Sequence, residues 1–288
     1  MSRKQLVVKK DNALVNASYT LTLAEQRLIL LAVAVADGSA AQLKSMAIPA
    51  SLYAERFGVT RQAAYLALHE AAGQLFERRF SYQRLTDKGN IAQVHSRWVQ
   101  SIAYVADEGE VRVRFADDVV PLLCALERRF THYALEQIAG LTSVYAVRLY
   151  ELLIAWRSTG QTPVIDLAEF RQRLGVEEGE YPRMTDFKRW VLDAAVKQIN
   201  QHTDIVATYE QHKRGRSITG FSFSFTMESP PARDPNTVDW VDGKTDAEAT
   251  ADKPRRTTIS RSQAERLARP GETWEDLYKR LSRDHIIK

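Results

Sequence analysis

Residues 163–226 read PVIDLAEFRQRLGVEEGEYPRMTDFKRWVLDAAVKQINQHTDIVATYEQHKRGRSITGFSFSFT. Their turn signals and apolar spacing predict a short strand over 163–167, then a small helix over 168–174 stopped by Gly175. A longer helix runs from Asp186 to about Gln201. On a helical wheel Phe187, Val191, Leu192, Ala195 and Ile199 share one broad face, as a packed helix requires. A strand pair over 205–212 and 217–226 closes the unit. Phe221, Phe223 and Phe225 alternate and so point inward together, leaving the tip Lys213-Arg214-Gly215-Arg216 free.

The same order can be read about 115 residues earlier. An apolar helix over 22–36 leads to a strand ending Ile48-Pro49, a small helix over 51–57 stopped by Gly58, and a longer helix from Arg61 to about Glu77. Alternating segments follow around 80–85, 92–105 and 110–115. In the later copy a helix over 144–156 precedes Thr159-Gly160 and the strand, with Pro49 matching Pro163 and Gly58 matching Gly175. Helix, strand, helix, turn, helix, hairpin is the winged helix, a helix-turn-helix with a β-hairpin appended. The fold class expected is α+β: two tandem winged-helix domains over 1–127 and 128–227, a disordered linker over 228–257, and short C-terminal helices in a tail over 258–288. Within that tail Ser260-x-x-Gln263 and Ser262-x-x-Glu265 read as capping boxes. Trp274, Leu277, Tyr278 and Leu281 form a stripe that must bury against the body or a partner.

Charge is distributed unevenly. The chain of 288 residues holds 40 Lys+Arg against 36 Asp+Glu. Residues 228–288 contain 12 of each sign, so the whole net +4 (28 minus 24) belongs to residues 1–227. A basic folded body suits a polyanionic partner. One cysteine, Cys124, excludes a disulfide framework and a cysteine-based zinc site, and a reducing, cytoplasmic setting follows as the default. The longest uncharged apolar run, residues 28–36, is half of what a membrane span needs. No phosphate-binding glycine motif occurs, and the six histidines never fall in a paired spacing. Neither a metal nor another cofactor is expected. Asp117-Asp118, ahead of a helix containing Pro121, reads as an N-terminal cap.

A helix that enters a major groove does so with its first residues, which nominates Arg183, Thr185 and Arg189. Arginine can pair both O6 and N7 of guanine, so Arg189 is the best choice for direct readout. Lys197 shares the polar face with Asp186, Arg189, Asp193 and Asn200, and an Arg189–Asp193 ion pair on that face is the competing reading. Lys188 lies beside the apolar face and snorkels to a phosphate or to solvent. Lys213, Arg214 and Arg216 suit phosphate or minor-groove contact. The first copy offers Arg61, Gln62 and Tyr65 at its long helix, and Arg84 and Lys88 on or near its hairpin. His69 reads as a plain surface histidine, and Trp98 and Trp156 as core. The loop Glu177-Glu178-Gly179-Glu180 should stand away from phosphate.

DNALVNASYTLTLAEQRLILLAV (11–33), VYAVRLYELLIAW (144–156), YPRMTDFKRWVLDAAVKQINQHTDIV (181–206) and YEQHKRGRSITGFSFSF (209–225) resemble the iteron-binding plasmid replication initiators. The likeness spans nearly all of residues 6–227. It implies two winged-helix domains, with monomers on directly repeated double-stranded origin sites and homodimers that repress the initiator's own gene. It also gives the first lobe a dimerisation role and implies host initiator and helicase-loading proteins as partners. The function expected is sequence-specific DNA binding without catalysis. A plain winged-helix repressor and a rolling-circle nicking nuclease are the alternatives.

Overall fold

The computed structural model describes residues 5–85, 88–124, 130–227, 257–259 and 285–287. The first lobe opens with β1 (Val7–Asp11), α1 (Asn12–Val15), β2 (Ser18–Tyr19), α2 (Leu23–Ala36), α3 (Ala40–Leu43) and β3 (Met46–Pro49). The helix-turn-helix pair is α4 (Ala50–Phe57) and α5 (Arg61–Leu75). Four strands follow: β4 (Arg79–Leu85), β5 (Ile91–Arg97), β6 (Val99–Val105) and β7 (Glu110–Phe115). Next come α6 (Val120–Leu123), β8 (Phe130–Ala134) and α7 (Glu136–Ala139). The second lobe runs α8 (Val144–Ile154), β9 (Ile165–Asp166), α9 (Leu167–Leu174), α10 (Met184–Phe187), a π-helical turn over Lys188–Leu192, α11 (Asp193–His202), β10 (Ile205–Arg214) and β11 (Ser217–Met227).

Sheet order makes the internal repeat concrete. In the first lobe β3 pairs with β7, which pairs with β6; in the second β9 pairs with β11, which pairs with β10. In each lobe the strand before the helix pair therefore joins the outgoing strand of the wing. The first lobe inserts an extra hairpin, β4–β5, that pairs with β2 in a separate sheet. The segment expected as one strand over 92–105 is broken at Trp98, which is fully buried, edge-on to Tyr19 (4.9 Å) and tilted on Phe80 (4.8 Å). That anchored indole divides the two sheets.

Local rules set the helix ends. Thr22 and Glu25 form a reciprocal capping box, Thr22 Oγ1 accepting from the Glu25 amide at 3.3 Å and Glu25 Oε2 from the Thr22 amide at 2.6 Å. Arg78 Nε then donates to the buried Glu25 carboxylate at 2.9 Å, and Arg27 donates to the Ala139 and Leu141 carbonyls at 3.2 and 2.9 Å. The run from Leu21 to Arg27 is thus structural scaffolding.

Two sequence expectations are corrected. Val119, not an aspartate, stands at the cap of α6, without a side-chain bond; Asp117 pairs with Lys44 at 3.2 Å and Asp118 accepts weakly from Ser96 at 3.5 Å. Trp156 is 40% exposed, because α8 ends at Ile154 and the ring falls in the following turn. β8, which follows the division expected at 127/128, pairs with β1 along its length.

The lobes meet through a buried ionic cluster. Arg148 on α8 donates to the Val15 and Ala17 carbonyls at 3.0 and 2.9 Å, to the Arg173 carbonyl at 2.7 Å, to the Tyr19 hydroxyl and to Glu151 at 3.1 Å. Glu151 also accepts from Lys10 and from the Tyr133 hydroxyl, each at 2.7 Å. Every charge there is paired, which is the condition for burying it. Burial pushes the Glu151 carboxyl up, but Lys10 and Arg148 outweigh it and hold it below the ordinary carboxylate range. Gly175 ends α9 at φ +79°, and a Cβ there would lie 2.6 Å from the Tyr19 carbonyl oxygen, so glycine sets how closely the lobes approach.

A separate C-terminal unit contains β12 (Thr257–Ile259) paired in parallel with β13 (His285–Ile287). Residues 228–256 of the expected linker and the helix carrying the Trp274 stripe lie outside the described residues, and the described residues of the expected helical tail, 258–259 and 285–287, are strand. Within the described residues no helix is long and apolar enough to cross a membrane.

Candidate nucleic-acid interface

In the second lobe α10, the π turn and α11 run on without a break from Met184 to His202. Phe187, Val191, Leu192, Ala195 and Ile199 are all fully buried, against Phe170, Phe221 and Phe223 among others. The π turn, closed by the Asp193 amide on the Lys188 carbonyl, lets Val191 and Leu192 both reach the core. Arg183, Thr185, Arg189, Asp193 and Lys197 are left exposed, with Lys188 half-buried.

Three cross-contacts fix the first wing strand along this helix. At its end, Asn200 clasps the backbone of Ala207, donating to the carbonyl at 2.9 Å and accepting from the amide at 2.7 Å. Midway, Asp193 accepts from the Tyr209 hydroxyl at 2.6 Å; burial, then Asp193, push that phenol up, so it stays a donor at neutral pH. Near its start, Lys188 donates to Gln211 at 3.3 Å and lies over the Tyr209 ring at 5.6 Å. Helix numbers fall, 200, 193, 188, as strand numbers rise, 207, 209, 211. Strand and helix are antiparallel, and the first helical turn lies at the end where the wing tip begins two residues beyond Gln211. At that tip Gly215 takes φ +64°, and Lys213, Arg214 and Arg216 are exposed.

The competing Arg189–Asp193 pair does not form: Asp193 accepts from Tyr209, and Arg189 lies over the Trp190 ring, 4.7 Å from its centroid. The acidic loop has a structural role. Glu180 accepts from the Glu177 amide at 2.9 Å and from Tyr145 at 3.5 Å, and Arg171 donates to the Glu180 and Tyr181 carbonyls. These bonds hold the connection into α10.

The first lobe differs. Arg61 and Gln62 are exposed at the first turn of α5, but Tyr65 packs edge-on against Tyr104 of β6 at 5.0 Å, as does His69. Its wing tip is acidic: Asp107 and Glu108 occupy the turn, and Glu108 and Glu110 bind Arg112 at 2.6 and 2.9 Å. Arg84 and Lys88 belong to the extra hairpin and not to the wing; Lys88 is exposed near its turn, and the Arg84 side chain lies outside the described residues. Sequence reading missed Asn200, Tyr209 and Gln211, which join helix to wing, and Trp190. A tryptophan on a polar helix face beside an arginine was the available signal for the last.

A family model described as Initiator Replication protein, WH1, matches residues 7–154, and one described as Initiator Rep protein, WH2, matches residues 166–225. A replication initiation protein of Escherichia coli is 26% identical over 233 residues, covering 78% of this chain and 71% of that protein. An Escherichia coli PI protein is 28% identical over 159 residues, half of this chain and 52% of the other. Among solved structures, the crystal structure of the Pi initiator protein in complex with iteron DNA has the same fold: TM-score 0.66, 22% identity, 80% of this chain and 100% of that one.

Proposed function

Because the chain belongs to the family of initiator replication proteins, with both its WH1 and WH2 parts, we propose that it starts plasmid replication by binding directly repeated sites in origin DNA, as the related Pi protein is described with iteron DNA. The observation that carries this reading is the antiparallel zip of helix and wing in the second lobe. It brings Arg183, Thr185 and Arg189 to the end of the domain where Lys213, Arg214 and Arg216 stand, with Lys188 bridging the two. The helix start serves the major groove, the spur the flanking phosphates or minor groove, and Lys197 a phosphate further along. Arg61, Gln62 and Tyr65 give the first lobe a lesser contact, with Arg84 and Lys88 as auxiliary cations.

The protein acts by binding and recruitment, not catalysis. Monomers occupy the repeats, homodimers repress the protein's own gene, and host initiator and helicase proteins in the cytoplasm are captured at the origin. If both lobes dock on one duplex face, the footprint is about two turns, near 20 bp, with the long helices in grooves about 34 Å apart. Footprinting on a duplex carrying the direct repeats of its own origin region tests this: protection of a single groove would leave only one lobe on DNA. Affinity should fall on the order of a thousandfold between 50 and 200 mM salt, and a flat response would end the reading. Melting of adjacent origin DNA separates an initiator from a plain repressor.

A further inference from the structure

Five arginines among the described residues lie over aromatic faces: Arg27 on Phe57, Arg97 on Phe76, Arg148 on Tyr19, Arg171 on Phe187 and Arg189 on Trp190. In four of them the guanidinium edge already donates to protein acceptors, although Arg27 Nε is left without a partner. Arg27 donates to the Ala139 and Leu141 carbonyls, Arg97 to the Phe76 carbonyl and Glu77, Arg148 to the junction cluster, and Arg171 to the Glu180 and Tyr181 carbonyls. Of the five, only Arg189 has no hydrogen-bond or ion-pair acceptor among the described residues. The pair is also unusual in place. Adjacent residues on a regular α-helix do not face one another, and this contact forms inside the π turn, where the backbone departs from α geometry. Trp190 is 56% exposed and contributes nothing to the core, so packing does not account for a tryptophan there.

We infer that Trp190 is a positioning residue for base readout: its ring holds the Arg189 guanidinium flat by cation–π contact, leaving the planar donor fork open for the O6/N7 edge of one guanine. A stack occupies the face of the guanidinium, whereas a salt bridge would occupy its edge, so the stack is the restraint compatible with bidentate pairing. Ordering a long side chain before binding removes part of the entropy otherwise lost in the complex. This inference rests on the reading that the helix meets duplex DNA.

The test uses the full chain and a duplex library randomised over a 20-bp core. The sequence selected by the wild-type protein and its single-base variants then serve as probes in fluorescence anisotropy. Arg189→Ala and Trp190→Ala should each flatten the preference at the same guanine, by about fivefold to a hundredfold, so that each loses more affinity on the selected duplex than on unselected duplex. Trp190→Phe should keep most of the preference, since a ring face remains. The double variant should discriminate no worse at that base than Arg189→Ala alone. Trp190→Ala with preference intact would overturn the inference, and so would a uniform loss on every duplex or additive effects in the double variant. If the wild type selects a sequence but Arg189→Ala does not matter, the positioning role falls and DNA binding stands. A wild type that selects nothing brings down both.

Discussion

The two lobes share one plan and differ at its working end. Each places a strand, a helix pair and a two-stranded wing in the same order, with the leading strand paired to the outgoing wing strand. The second lobe carries Lys213, Arg214 and Arg216 at its wing tip, and the first carries Asp107 and Glu108. Near the start of the long helix both lobes expose an arginine, Arg189 over the Trp190 ring and Arg61 at the first turn of α5, but the first lobe also packs Tyr65 and His69 against the ring of Tyr104. A duplicated scaffold therefore does not duplicate a binding surface. The packed interior constrains the plan, and exposed tips are free to take either charge.

The largest effect should come from the cluster that joins the lobes. Glu151→Ala strands Lys10 and Arg148 without their anion, and denaturant melts should show a loss of about 3–5 kcal/mol. The same carboxylate, held low in the folded protein, contributes stability that is complete above the ordinary carboxylate range and is lost as pH falls through its depressed value. Stability measured down an acid series should drop there in the wild type and less in the variant. Next, replacing Lys213, Arg214 and Arg216 together with alanine should weaken binding to every duplex alike and lower the slope of log affinity against log salt by about three. Arg189→Ala should cost about 1–3 kcal/mol of discrimination at a single base, measured as the difference between the selected duplex and its variant at that base. The smallest effect belongs to the first lobe's wing: Asp107→Asn with Glu108→Gln should change affinity less than any of these, because exposed charges more than about 8–10 Å from the duplex are screened by salt. A large gain in affinity there would place the acidic tip beside phosphate and undo the contrast between the lobes.

Much of the scaffold was legible in the sequence because it depends on local rules. Thr22 with Glu25 spells a capping box, Gly58 and Gly175 stop helices in the left-handed region, and the alternating Phe221, Phe223 and Phe225 are all buried. The cations of the second lobe were legible as well, since charge at a turn between two strands has nowhere to go but out. What escaped reading involved partners distant in sequence. The pairing of β1 with β8 spans more than a hundred residues, and Trp98 divides two sheets where alternation alone suggested one strand. Asp117 and Asp118 looked like caps, yet Lys44 and Ser96, brought close by the fold, took both.

By itself, the order of apolar periods and turn residues determined two winged helices and a cationic spur, because periodicity and glycine conformation act within a few residues. Only tertiary structure decided that Asp193 binds Tyr209 and leaves Arg189 to Trp190, that strand and helix run antiparallel so helix start and spur share one end, and that Arg148 and Glu151 bind the lobes together. Those outcomes depend on which donors and acceptors the packed fold brings within reach of one another, and no spacing along the chain encodes that competition.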